Sequence, residues 1–178
     1  PLPAGGVRPA AHRDERTLDA GRSAHRHLQP PAEPYADAHL HAAAGLPVDV
    51  EVASEFQHLQ VRPRSLIIGI TQSGETADTL IALKKAKTCG VKSLAITNVV
   101  GSTVTELVDG TVFTRCGPEI GVAATKTFTS QLVAIILLAI RRGRARGHLS
   151  PDQARKMLIE LTKLPGLMQR VLEKRDEI

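Results

Sequence analysis

No tryptophan occurs among the 178 residues, and only Tyr35, Phe56, Phe113 and Phe128 are aromatic. A core built from this chain must be aliphatic, and there is no aromatic platform on which nucleic-acid bases would stack. Cysteine is as scarce. Cys89 and Cys116 sit in different segments without CxxC spacing, so neither a disulfide framework nor a thiolate zinc site is indicated, and two free, buried thiols are expected. Long apolar runs are also missing. The longest, Leu132 to Ile140, has nine residues, too few to span a bilayer, and no apolar stretch of signal-peptide type opens the sequence. A soluble, cytoplasmic protein without a membrane partner is expected.

What is present begins with a formal charge of +5, and its distribution argues against nucleic acid. Acids and bases balance in residues 1–44 and again in 45–140, so the whole excess is C-terminal. Arg141, Arg142, Arg144 and Arg146 form a compact cluster at the expected end of a helix, where cations are favoured by the dipole. Residues 1–44 differ in texture from the rest. They hold six of the eleven prolines and five of the seven histidines (His12, His25, His27, His39, His41), with no strand-like apolar run. Disorder or a marginal helix is expected there, and the histidine spacings fit no metal-ligand pattern. No metal and no cofactor is expected.

From Gly45 onward, helical and strand-like segments alternate. Pro47 to Val52 alternates apolar and acidic residues, the pattern of an edge strand. Ser65 to Ile70 is continuously apolar, the pattern of a strand buried on both faces. A helix follows from about Thr76 to Thr88, with Leu80, Ile81, Leu83 and Ala86 available for the sheet. Ser93 to Thr97 is the next strand. Thr103 with Glu106 fits a capping box opening a short helix, and Thr111 to Thr114 is a further strand. A long helix over about 122–142 has a polar first half and an aliphatic second half. Two amphipathic helices, about Pro151 to Lys163 and Pro165 to Lys174, finish the chain, the first with Ser150 as N-cap. This order predicts an α/β fold, a doubly wound parallel sheet flanked by helices, with ligands beyond the carboxyl ends of the strands. The expected divisions are 1–44, 45–146 for the binding domain and 147–178 for connecting helices.

The segment Ile70-Thr71-Gln72-Ser73-Gly74-Glu75-Thr76-Ala77-Asp78-Thr79 stands at such a carboxyl end. Gly74 allows a tight turn, and the first N–H groups of the following helix have no partner inside it, so an anion is stabilised there. Thr71, Ser73 and Thr76 add hydroxyls and Gln72 an amide. On residues alone this is either a phosphate cradle or an ordinary βα loop with Ser73 as N-cap.

That turn, together with Ala95-Ile96-Thr97-Asn98-Val99-Val100-Gly101-Ser102 and the run from Glu119 to Leu132 (EIGVAATKTFTSQL), resembles the first sugar isomerase (SIS) domain of the glutamine:fructose-6-phosphate aminotransferase family. The resemblance covers about Gly45 to Lys174. It implies that Thr71, Gln72, Ser73 and Thr76 contact the phosphate of fructose 6-phosphate, Thr71 standing where serine is usual. It further implies a sugar contact at Val122, while Ala124 replaces a usual serine. A phosphorylated sugar and a second copy of the chain, forming a homodimer, are the implied partners. The implied activity is that of a transferase making glucosamine 6-phosphate.

The resemblance also implies an apolar first strand ending in a Cys-Gly-Thr-Ser loop before Pro47, and residues 1–44 contain no such sequence. No catalytic base, Schiff-base lysine or glutamine-hydrolysing cysteine is matched either. Lys126 is the one amine near the expected site and reads as structural or anion-attracting. A catalytically incomplete sugar-phosphate-binding part is therefore expected. A stand-alone regulatory module and a dimerisation fragment are the alternatives. Residues 1 to about 41 are expected to be a shifted reading frame or an aberrant start. Sequencing the source gene checks this, and an uninterrupted frame encoding the same peptide would contradict it.

Overall fold

The computed structural model describes residues 41, 43–56, 61–121 and 124–175. Of two compact units, Pro1–Pro34 lies wholly outside the described residues and Tyr35–Ile178 contains all of them. The expectations for residues 1–40, with His12, His25, His27 and His39 among them, also lie outside them, while His41 is described and exposed.

In chain order the elements are α1 (Ala53–Phe56), β1 (Leu66–Ile70), α2 (Ala77–Thr88), β2 (Lys92–Thr97), α3 (Thr103–Leu107), β3 (Gly110–Phe113), α4 (Lys126–Ala145), α5 (Pro151–Thr162) and α6 (Leu164–Glu173). The strands form a parallel sheet in the order β1-β2-β3. Ile70 pairs with Ile96 and Thr97 with Phe113, so the three carboxyl ends lie side by side. Helical crossovers between parallel neighbours were the expected architecture, and they are observed.

Each face of the sheet has its own cover. Ile67 and Ala95 share one face, where they meet Leu83 of α2 and Val104 of α3. Leu83 is essentially fully buried and Ala86 completely so. The helix face differs from expectation by part of a turn. Thr79, Ala82, Leu83 and Ala86 are buried, whereas Ile81 is exposed. Ile96, on the opposite face, is fully buried in the strand against which α4 packs. A second cluster joins α4 to α5 through Ala139, Ile140, Leu149 and Ala154, with Ala43 and Ala44 completing it. Ser150 accepts from the backbone of Gln153, whose side chain accepts from the Ser150 N–H in return, as the capping pattern predicts.

Three expectations need correction. Residues 47–52 form no strand, and Val50 and Val52 are exposed. Alternation alone does not make a strand without a neighbour to take up its backbone hydrogen bonds. The strand at Leu66–Ile70 is covered on one face only. Leu66, Ile68 and Ile70, which alternate onto the same side, are 51%, 38% and 45% exposed, because α4 covers that face at β2 and not at β1. Cys89 is exposed and Cys116 half-buried, both as free thiols. Among the described residues, no helix is long and apolar enough to cross a membrane.

Gly143 is where α4 approaches another backbone most closely, since a methyl there would overlap the carbonyl oxygen of Ala43. Gly143→Ala gains about 1 kcal/mol of helix propensity but forces apart two backbones that cannot rotate away, costing about 2–3 kcal/mol. A net loss of about 1–2 kcal/mol is expected in urea denaturation. A raised midpoint would contradict this packing.

Candidate functional site

Three loops leave the carboxyl ends of β1, β2 and β3. The first holds Thr71 to Thr76. Thr71 is buried, with its Oγ1 2.9 Å from the Oγ1 of Thr76 and accepting from the Gly74 N–H at 3.2 Å. Ser73 Oγ accepts from the Glu75 N–H at 3.1 Å, and the Gln72 carbonyl accepts from the Asn98 N–H and the Thr97 hydroxyl. Gly74 has φ +75°, and a side chain there would run into Ser102. Only glycine meets both demands without strain.

The turn delivers the chain into α2 in an open way. Thr76 is the N-cap, not Ser73, and its side chain makes no capping bond. The first intrahelical bond runs from the Leu80 N–H to the Thr76 carbonyl. The N–H groups of Ala77, Asp78 and Thr79 therefore have no acceptor within the helix. Two hydroxyls in contact and three N–H groups without an acceptor inside the helix thus share one turn.

The second loop is fixed by the first. Thr103 donates its backbone N–H to Glu75 Oε1 and its hydroxyl to Glu75 Oε2, both at 2.7 Å. The Val104 N–H donates to the Gly74 carbonyl at 3.0 Å. Thr103 and Glu106 were expected to form a capping box, but the N-cap is Ser102 and the acceptor for Thr103 comes from 28 residues earlier. Local spacing cannot reveal a partner brought in by tertiary folding. The two Thr103 donors hold the Glu75 carboxyl below its ordinary value, the backbone N–H having the larger effect.

Asn98 links the second loop to the third. Its Oδ1 accepts from the Thr114 hydroxyl and from the Cys116 N–H and Sγ, while its Nδ2 donates to the Gly117 carbonyl at 2.7 Å. Further along, Glu119 takes four donors: the hydroxyl and N–H of Thr127 and the N–H and hydroxyl of Thr125. Thr127 is completely buried. These bonds hold the Glu119 carboxyl down at about 2, the Thr127 hydroxyl contributing most. Glu119 thereby caps α4, which starts at Lys126 and not near 122 as its sequence pattern suggested. Neither Glu75 nor Glu119 was recognised from sequence as a member of this site. The only available signal was an acid embedded in each matched segment.

Thr71, Gln72, Ser73 and Thr76 are thus brought together at one strand end. Val122, the expected sugar contact, lies outside the described residues. Lys126 is exposed on the first turn of α4. Among the described residues, no group of three or more His, Cys, Asp or Glu is placed to hold a metal ion. An open cavity of about 260 Å³ lined by Lys87, Val91, Lys92, Leu107 and Asp109 lies at the opposite, amino-terminal end of β2, away from this site.

A family model for the SIS domain matches residues 35–141. The chain is 45% identical over 137 residues to the glutamine–fructose-6-phosphate aminotransferase (isomerizing) of Methanosarcina mazei, covering 76% of this chain and 22% of that protein. It is 49% identical over 146 residues to the enzyme of that name from Halobacterium salinarum, covering 81% and 24% respectively. The chain therefore spans under a quarter of the length of these curated relatives. Among solved structures, the C-terminal domain of glucosamine-fructose-6-phosphate aminotransferase from Francisella tularensis superposes with a TM-score of 0.76 at 37% identity, covering 80% of this chain and 41% of that one.

The carboxyl of Glu119 gives this site a signature in acid. Its value falls from an ordinary 4.5 in the unfolded chain to about 2 in the folded one, so its contribution to stability is complete above about 4.5 and is lost as pH falls toward 2. Glu119→Gln is expected to flatten the stability–pH curve between those limits in urea titrations. An unchanged slope would show that the four bonds do not distinguish the ionised carboxylate.

Proposed function

The chain belongs to the SIS-domain family, and from that premise we propose that its Thr71–Thr76 turn binds the phosphate of a phosphorylated sugar, fructose 6-phosphate being the expected one. The observation that carries this reading is the uncapped amino terminus of α2 facing the paired hydroxyls of Thr71 and Thr76. A dianionic phosphate presents acceptor oxygens to both sets of donors, and the helix dipole favours its charge. In this arrangement the hydroxyls of Thr71, Ser73 and Thr76, the Gln72 amide and the first α2 N–H groups are the contacts. Val122 is proposed as a contact to the sugar.

The reading extends to a role within an amidotransferase that makes glucosamine 6-phosphate, where this segment anchors the sugar phosphate. Isomerisation needs a base near the substrate carbon and an electrophile at its carbonyl. The described residues offer Lys126 and no base beside it, so the anchoring role is the one we assign. A homodimer in the cytoplasm belongs to the same proposal, and the exposed apolar residues Leu167, Met168, Val171 and Leu172 of α6 are consistent with a further packing partner. The connecting role of the segment after residue 146 is likewise proposed.

Titration calorimetry with fructose 6-phosphate and with inorganic phosphate tests the assignment. The double variant Ser73→Ala, Thr76→Ala removes two hydroxyls from the turn and is expected to weaken binding by about tenfold or more. Undiminished affinity would move the site elsewhere. The absence of any heat from the unaltered chain would leave only the dimerisation reading.

A further inference from the structure

Within the phosphosugar reading just given, on which this rests, we infer that Glu75 is a positioning residue for the phosphate turn and Thr103 is its partner. An acidic side chain in the middle of a turn that receives an anion is at first sight unfavourable, since like charges repel. The geometry removes the conflict. Both carboxylate oxygens are engaged by Thr103, one by its N–H and one by its hydroxyl, each at 2.7 Å. The charge is thereby directed to the start of α3, leaving the start of α2, at Ala77, uncapped by any side chain.

The clamp also fixes the direction of the turn. Residues 74 and 75 are bonded to residues 103 and 104 by three hydrogen bonds, the third being the Val104 N–H to the Gly74 carbonyl. Ser73 and Thr76 lie immediately on either side of this pair, and the Glu75 N–H itself donates to Ser73 Oγ. Holding Gly74 and Glu75 against the second loop therefore sets where both flanking hydroxyls point. A preorganised donor set binds more tightly because the ordering of its groups is complete before the ligand arrives. Glu75 itself contacts no substrate in this account.

The test is a double-mutant cycle on the full chain, with inorganic phosphate and fructose 6-phosphate as probes and a thermal melt of each variant. Glu75→Ala is expected to weaken binding about tenfold, Thr103→Val about threefold, and the double variant no more than Glu75→Ala alone. Glu75→Gln, which keeps one acceptor oxygen, should fall between the first variant and the unaltered chain. A clamp that only stabilises the fold would lower the melting midpoint and leave the affinity of the folded chain unchanged, overturning the inference. Independent losses that multiply in the double variant would overturn it as well. Should Glu75→Ala fail to fold, Thr103→Val carries the test, and unchanged affinity there counts against the clamp. If the Ser73→Ala, Thr76→Ala variant binds weakly while Glu75→Ala binds normally, the positioning role falls and the phosphate site stands. If the unaltered chain binds neither probe, both fall together.

Discussion

The parallel pairing of β1, β2 and β3 does not stop where the strands stop, and the candidate site depends on that continuation. The Thr71 N–H donates to the Ile96 carbonyl, the Asn98 N–H to the Gln72 carbonyl, and the Thr114 N–H to the Thr97 carbonyl. Each loop thus begins as an extension of the ladder before turning away. Loops held in this manner keep their shape at little further entropic cost, because their first residues are already ordered by the sheet. The side-chain links then work over short distances. Glu75 reaches Thr103 and Asn98 reaches Cys116 and Gly117, so the three loops are bonded in series, and Glu119 ties the third to α4 through Thr127.

The same sheet sets a limit. A parallel sheet ordinarily has both faces covered, yet the described residues cover β1 only on the side of Leu83 and Val104. Leu66, Ile68 and Ile70 remain open on the other side, and α4 keeps Leu137 exposed within its wholly apolar run from Leu132 to Ile140. A helical stretch apolar on all sides, as this run is, is characteristic of a buried position. The core is also narrow, since its largest fully buried side chains are Leu83, Ile96, Val104, Thr97 and Thr127, and no aromatic side chain is fully buried among the described residues. Its stability rests on the close approach of small residues. The approach of Gly143 to Ala43, and the presence of Ala43, Ala44, Ala139 and Ala154 in one cluster, show this.

Much of this was legible in the residues. The run Leu66–Ile70 followed by Thr71 to Thr79 announced a strand, a turn and a helix, and the bounds of that strand agreed to within one residue. The capping of α5 by Ser150 and Gln153 was also readable, because both partners lie within one turn of the chain. What escaped were the side-chain relations carried by distant partners. The Pro47–Val52 alternation suggested a strand but found no neighbour. Thr103 looked as if Glu106 would complete its cap, while its acceptor is Glu75 across the loop. Ile81 looked inward by spacing and is exposed, since the sheet contacts a narrower face of α2 than the helix offers. The start of α4 was misplaced because the Glu119 clamp holds Thr125 at the N-cap, so the helix opens at Lys126.

The claim most exposed to measurement is that the amino terminus of α2 receives a phosphate. Nuclear magnetic resonance on the full chain, following the backbone amides of Thr71 to Thr79 during titration with fructose 6-phosphate and separately with inorganic phosphate, addresses it most directly. The account predicts saturable shifts concentrated at Ser73 and at Ala77, Asp78 and Thr79, with slowed amide exchange, for both ligands. Shifts confined to other segments, or none at concentrations where phosphate is in large excess, would contradict it.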